Sequence, residues 1–379
     1  MTWLLIAAAA PSLLVSCLAG WLMRRMAPRL GLVDKPGHRK VHATPTPLGG
    51  GIAIWLGLVA PLAVGQALLW SLEPTGNGEY LVAGSWPLPA TIALHVGGLV
   101  QQTPKLWIML GAGTALMLLG LADDRWKLDW RLRICVQTGV ALAVVGYWHG
   151  WRITLFVDQP WLTAAISVCW IVGLVNSFNM LDNMDGLSAG VAAIAASVLA
   201  AVLLTTPNPV THQPQLFVSG FLIVLVGSLA GFLWHNRPPA RLFMGDAGSY
   251  LIGFCLAMAT SMATFTGGDL PTHAILTPLC VLAVPLYDTI TVVWIRLREG
   301  RSPFEGDKNH FSHRLVDMGM TKGQAVLTIY LTTATCGLGA LLLHQVDELG
   351  AWIILLLVGC VLTLIGVLET TGRRNRRES

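Results

Sequence analysis

Three groups of aspartates stand at the ends of long apolar runs in a chain with few other charges: Asp123-Asp124, then Asp182 with Asp185, then Asp246. An aspartate beside hydrocarbon is expensive, about 2.5–3.5 kcal/mol at a helix centre on insertion scales. Several of them at one membrane face imply a cation that gathers them, a divalent metal above all. Around the second group, Asn176, Asn179, Asp182 and Asp185 recur every third residue. On a helix, neighbours in such a series share a face that drifts by about 60° per step.

Each group also has a purely structural reading. A polar loop with Asp185 as helix N-cap accounts for one aspartate. It leaves Asp182 and the two asparagines without a role. Asp123-Asp124 is followed by Arg125, Lys127, Arg131 and Arg133, an interfacial mix that weak surface ion pairs would hold. Asp246 lies between Gly245 and Ala247-Gly248, an open backbone at a helix start, where an N-cap could double as a metal ligand.

A basic segment from Arg296 to Arg314 complements these acids. Arg296, Arg298, Arg301 and Lys308 supply positive charge, and His310 and His313 lie three apart. Guanidinium forks and imidazolium donors are what phosphate oxygens need. Zinc is the competing ligand for the two histidines, but no thiolate or carboxylate partner stands at the usual spacing. No G-x-x-x-x-G-K-[ST] occurs, which excludes a Walker-type nucleotide site. Gly49-Gly50-Gly51 reads as helix packing. Carboxylates for a metal and bases for phosphates, in a membrane setting, point to phosphoryl chemistry at the lipid interface.

The elements that must position these groups are membrane helices. Of 379 residues, 54% are apolar and 12% charged, against about 25% charged in a soluble domain. The mean hydropathy is +0.64. Cys17, Cys135, Cys169, Cys255, Cys280, Cys336 and Cys360 all lie in apolar stretches without a C-x-x-C and read as small buried hydrophobes. Residues 2–23 lack a basic segment before them and have Arg24-Arg25 after them, the pattern of a first span rather than a cleaved signal.

About 20 apolar residues make a span. The expected spans are 2–23, 48–70, 106–122, 132–149, 161–178, 187–205, 215–234, 248–265, 273–295, 324–343 and 351–368, an all-α polytopic bundle of eleven helices. Residues 1–372 form one domain and 373–379 a basic tail. With residues 24–47 in the cytoplasm, every Lys and Arg except Lys105 and Arg152 falls inside, so the N-terminus is outside and the C-terminus inside. The apolar piece 88–103 cannot cross without reversing that balance, so it is expected to be interfacial or re-entrant. All three aspartate groups then share the cytoplasmic side.

Several blocks resemble the polyprenyl-phosphate N-acetylhexosamine-1-phosphate transferases. They are Gly31 to His42 with Pro47-Leu-Gly-Gly50, Gly120-Leu-Ala-Asp-Asp124, Asn176 to Leu187, Phe243-Met-Gly-Asp-Ala-Gly-Ser249, Pro285-Leu-Tyr-Asp288, and Arg296 to His313. They run in family order over about 31–325. The resemblance implies transfer of a sugar 1-phosphate from a UDP-sugar to undecaprenyl phosphate, releasing UMP, in the bacterial inner membrane with the active site on the cytoplasmic face. It implies Mg²⁺, with Mn²⁺ as a substitute, held by Asp246. Asn179, Asp182 and Asp185 would contact nucleotide and sugar, with His42, Arg296 and Arg301 also binding substrate. His310 and His313 would act on the diphosphate, and Asp123 or Asp124 on the lipid phosphate.

The implied partners are the UDP-sugar, the lipid and the bilayer, with no nucleic acid; a homodimer is the assembly the resemblance admits. Family members often carry a third histidine where this chain has Ser312. The arginine-rich segment looks more like the N-acetylglucosamine branch, whose product initiates a cell-envelope polysaccharide, than the phospho-N-acetylmuramoyl-pentapeptide branch. Outside the class, a cation-coupled transporter is the rival, since intramembrane carboxylates also mark transport pathways. A transporter favours carboxylates near mid-membrane and inverted repeats. Here they cluster at one face beside basic loops.

Overall fold

With no water in hydrocarbon to satisfy backbone N–H and C=O groups, an apolar span has to bond internally as a helix. The computed structural model describes all residues except 1, 35–44, 75–79, 83, 155, 158, 210, 269, 305–308 and 379. Its helices are α1 (Thr2–Met26), α2 (Gly50–Trp70), a short α3 (Ala90–Ala93), α4 (Val96–Trp126) and α5 (Trp130–Tyr147). Then follow α6 (Pro160–Leu181), α7 (Leu187–Thr205), α8 (Leu216–Asn236) and α9 (Gly245–Met262). The chain closes with α10 (Thr277–Val281), α11 (Ala283–Arg298), α12 (Phe311–Asp317), α13 (Lys322–Leu342) and α14 (Glu348–Glu378). The fold is an all-α polytopic bundle.

Every expected span coincides with helix. Eight helices are long and apolar enough to cross a membrane by themselves, and the bent pair α10–α11 would make a ninth. The more polar α5 and α9 fall outside that group: α5 carries Arg131, Arg133 and Gln137, and α9 begins on Asp246.

Two features differ from expectation. The span over 273–295 is not one helix but two, bent by 68° about Leu282. Pro285 has no N–H to return to the preceding turn, which breaks the ladder there. Residues 96–103 do not form a separate interfacial piece; they are the first turns of α4, which continues through Pro104. At 1.5 Å per residue, its 31 residues reach about 46 Å, well beyond a hydrocarbon core of about 30 Å.

Helix α9 is the axis of the site. It packs against α2, α4, α6, α7 and α8. All its residues are buried except Asp246 and Met262. The close approach of α4 depends on Gly120, where a Cβ would run into the Asp246 carbonyl. Small strands complete the connections. β1 (Val33–Asp34) pairs antiparallel with β2 (Thr46–Pro47), Val33 opposite Pro47. β3 (Leu72–Pro74), β4 (Tyr80–Val82) and β5 (Trp86–Pro87) form a meander between α2 and α3. Just past β2 the chain latches onto the segment that leads into α9. Phe243 N–H donates to the Pro47 carbonyl, and the Gly50 and Gly51 N–H groups donate to the Phe243 and Met244 carbonyls, each at 2.9 Å.

Candidate active site

The first four N–H groups of a helix have no partner inside it. In α9 the residue before the helix, Met244, offers no side-chain cap. Asp124, from the last turn of α4, supplies one from across the bundle: its Oδ1 accepts from Asp246 N–H at 3.0 Å and its Oδ2 from Ala247 N–H at 3.3 Å. Gly245 has φ +70°, and a Cβ there would strike the Asp124 carboxylate. The Gly-Asp-Ala sequence is therefore the opening through which Asp124 reaches the helix end.

Asp123 faces a different partner. Its Oδ2 accepts from Arg133 Nη1 at 2.5 Å and from the Tyr250 hydroxyl at 3.5 Å, and its Oδ1 accepts from Leu128 N–H at 2.7 Å. The Asp123 and Asp246 carboxylates lie within hydrogen-bonding reach of one another. Arg133 Nη1 is 3.9 Å from Asp246 Oδ2. Asn179, at the end of α6, donates to Asp246 Oδ1 at 2.7 Å and to Ser249 Oγ at 3.1 Å. The Asp246 side chain is 26% exposed, against 3% for Asp123, so Asp246 is the member of this pair that solvent can reach.

The α6–α7 turn carries Asp182 and Asp185. Asp185 is not the N-cap of α7, a place that Gly186 takes at φ +77°. Its Oδ2 accepts from Ala240 N–H at 2.9 Å, tying the turn to the loop before α9. Gly186 N–H donates to Asn236 Oδ1 at 2.9 Å. Asn176, the first of the three-residue series, is turned away and donates to Gln137 Oε1 at 2.7 Å. Asp182 is half-buried just past α6. Burial, with the neighbouring Asp124 and Asp185 charges, pushes its carboxyl up to about 8.

The histidine block reaches the same turn. Ser312, fully buried, donates to Asn183 Oδ1, so α12 is fastened beside Asp182. The position where the resemblance leads one to expect a third histidine thus holds a structural bond here. His310 Nδ1 bonds Asp288 Oδ2 at 2.9 Å, and Phe311 N–H donates to Asp288 Oδ1 at 2.6 Å. The His310 and His313 rings are 6.3 Å apart. Behind them, Arg314 Nε lies 2.8 Å from Glu369 Oε2 of α14, which also accepts from the Tyr287 hydroxyl at 3.2 Å. Both Arg314 and Glu369 are buried.

The remaining sequence-selected residues fall elsewhere. Arg296 is buried and its Nη1 donates to the Pro303 carbonyl at 2.5 Å, folding its own loop. Arg301 pairs with Glu299 at 3.1 Å. That loop is held over α5 by Phe304, stacked on Trp130 with ring centroids 3.9 Å apart. His42 lies outside the described residues.

Arg133, Asn183, Asp288, Arg314 and Glu369 were not singled out as site residues. Arg133 had a signal, ten residues from Asp123, and Asp288 was legible as a lone acid inside an apolar run. Among the described residues no three His, Cys, Asp or Glu side chains converge as a ready-made cage. The Asp123–Asp246 pair instead offers carboxylate oxygens, those of Asp246 accessible, with the Asn179 amide N–H groups turned to Asp246 and Ser249.

A family model described as glycosyl transferase family 4 matches residues 106–264. That stretch holds all three aspartate groups. The chain is 32% identical over 372 residues to the decaprenyl-phosphate N-acetylglucosaminephosphotransferase of Mycobacterium tuberculosis, covering 92% of this chain and 85% of that protein. It is 27% identical over 375 residues to a probable undecaprenyl-phosphate N-acetylglucosaminyl 1-phosphate transferase of Bacillus subtilis, covering 97% and 92%. To the undecaprenyl-phosphate alpha-N-acetylglucosaminyl 1-phosphate transferase of Escherichia coli K12 it is 27% identical over 352 residues, covering 88% and 82%.

Proposed function

The chain belongs to glycosyl transferase family 4, and we propose that it transfers N-acetylglucosamine 1-phosphate from UDP-N-acetylglucosamine to undecaprenyl phosphate. The products are undecaprenyl diphosphate N-acetylglucosamine and UMP. The observation that carries this reading is the meeting of an acidic half and a basic half at one turn. Asp182 stands beside Asp124, while the adjacent Asn183 holds Ser312 of the histidine block.

In the proposed reaction an oxygen of the lipid phosphate bonds to the sugar-bearing phosphorus as the bond to the UMP oxygen breaks. A phosphate monoester has a second pKa near 6, so at pH 7 most of the nucleophile is already a dianion. Positioning and charge neutralisation therefore contribute more than deprotonation. Asp123, held by Arg133, orients the acceptor head. Asn179, Asp182 and Asp185 bind the nucleotide sugar. His310 commits Nδ1 to Asp288, which fixes the ring and leaves Nε2 for a diphosphate oxygen. Mg²⁺, or Mn²⁺ in its place, fits at Asp246, because such ions keep several waters and take one or two carboxylates plus substrate phosphates. When bound, it supplies charge neutralisation of the diphosphate.

The test is transfer of radiolabel from a panel of UDP-sugars to undecaprenyl phosphate by the purified protein, with Mg²⁺ or with EDTA. Label should enter the lipid phase from UDP-N-acetylglucosamine, only with the metal, and not from UDP-N-acetylmuramoyl-pentapeptide. No transfer from any donor rejects the enzyme reading; transfer from the pentapeptide alone reassigns the substrate.

A further inference from the structure

The proposed transfer makes no use of a cleft of about 330 Å³ at the acidic end of the bundle, lined by Trp21, Arg24, Arg25, Pro47 and Arg241. Its walls are set by backbone. The end of α8 is fixed on α1 by His235 Nε2, which donates to the Cys17 carbonyl at 2.8 Å. Arg241 is held by its own N–H, which donates to the His235 carbonyl at 2.8 Å. Pro47 belongs to the latched segment beside Phe243.

Three guanidinium groups face this space, and among the described residues no carboxylate pairs with Arg24, Arg25 or Arg241. Among the described residues the lining is three arginines, a tryptophan and a proline, a set suited to holding an anion. Trp21 and Trp234, both exposed, carry stacked arginines. Arg25 is 3.7 Å from the Trp21 centroid, and Arg237 is 4.2 Å from that of Trp234. Exposed Trp beside Arg marks the headgroup level of a membrane protein.

The cleft also has an apolar extension. Leu14, Leu18, Trp21, Leu22 and Arg25 follow helical spacing and share one face of α1. The four apolar residues among them are 46–67% exposed. The surface thus has the shape of an amphiphile, a cationic pocket continued by a hydrocarbon stripe. Inorganic phosphate would use the first and leave the second unmet.

We infer that this cleft is a seat for an anionic glycerophospholipid. Its phosphate lies among Arg24, Arg25 and Arg241, and its acyl chains run along Leu14, Leu18 and Leu22. The guanidinium forks suit phosphate oxygens. Because Pro47 accepts the Phe243 N–H three residues before Asp246, the lipid buttresses the segment that leads into α9.

Native mass spectrometry of the full-length protein, titrated with phosphatidylglycerol or with phosphatidylcholine of the same chains, tests the assignment. Each basic residue near a membrane surface contributes on the order of 1 kcal/mol toward anionic lipid. The preference for phosphatidylglycerol should therefore fall by about tenfold or more in Arg24→Gln/Arg25→Gln/Arg241→Gln. It should fall by a smaller factor in Arg25→Gln, a milder change that keeps the test open if the triple variant misfolds. A control with Arg373, Arg374, Arg376 and Arg377 changed to Gln should keep it. An unchanged preference in both cleft variants overturns the inference. So does displacement of phosphatidylglycerol by inorganic phosphate, which would make the cleft a simple anion site. Displacement by equimolar undecaprenyl phosphate overturns it too, by making the cleft an acceptor site.

Discussion

The two halves of the site handle charge in opposite ways. On the basic side two groups have an acid behind them: Asp288 behind His310 and Glu369 behind Arg314. On the acidic side Asp123, Asp124, Asp182 and Asp246 crowd together, and Arg133 is ion-paired to Asp123 and near Asp246. Paired charges hold geometry, and their worth lies in what is lost when one partner is removed. Crowded like charges repel, and are relieved by a proton, as at Asp182, or by a cation. The basic half is therefore a scaffold for two histidines. On the proposed reading the acidic half is a receptor, with Asp246 as the accessible carboxylate of its Asp123 pair.

If that contrast is right, the largest effect belongs to the receptor. Asp246→Asn keeps the shape and the Asn179 contact but removes the charge, and transfer should fall by about 10²–10³-fold with little change in melting temperature. Near wild-type turnover in purified protein would erase the distinction.

On the scaffold side, Asp288→Asn should cost about 10–100-fold. The substitution removes the carboxylate that faces Nδ1 of His310, and with it the partner that orients the ring. A loss confined to stability, with kcat unchanged, would return Asp288 to a packing role.

Glu369→Gln leaves Arg314 buried without its counter-charge. Breaking a buried pair typically costs about 3–5 kcal/mol, so the melting temperature should drop several degrees. Because Arg314 shares α12 with His313, kcat should drop with it, and Glu369→Asp should restore part of both. Stability loss with full activity would detach α14 from the site.

How much of this was legible in the sequence follows from how each feature arises. Helix positions follow from apolar run lengths, and every expected span coincides with helix. The bend at Leu282 was readable from Pro285 but was overridden by an unbroken apolar run. Residues 88–103 were set apart because a crossing there would reverse the balance of basic residues, yet 96–103 run unbroken into α4. The carboxylates stood out because charge in an apolar run is costly. Their partners did not, because Asn183 and Ser312 are 129 residues apart, and no local pattern announces such a pair. Nor did spacing reveal that Asp124 caps a helix in another part of the chain, since Met244-Gly-Asp reads as an ordinary helix start.

Smaller in size, the acidic half should leave a signature in stability against pH. Asp182 holds its proton up to about 8 in the folded protein, against 3.8 in an open chain. Between those values the unfolded chain has released a proton that the folded one keeps, so stability from this group falls as pH rises through that window and levels off above about 8. The melting temperature of Asp182→Asn relative to wild type should therefore climb from pH 5.5 to 8 and then flatten. A difference that is flat throughout would mean that Asp182 is not held in its protonated form.

Mn²⁺ binding followed by electron paramagnetic resonance, in the presence of UDP-N-acetylglucosamine, tests the receptor most directly because it does not depend on turnover. The account predicts that wild type and Glu369→Gln bind the ion while Asp246→Asn loses binding by at least tenfold. Equal affinity in Asp246→Asn and wild type would contradict it.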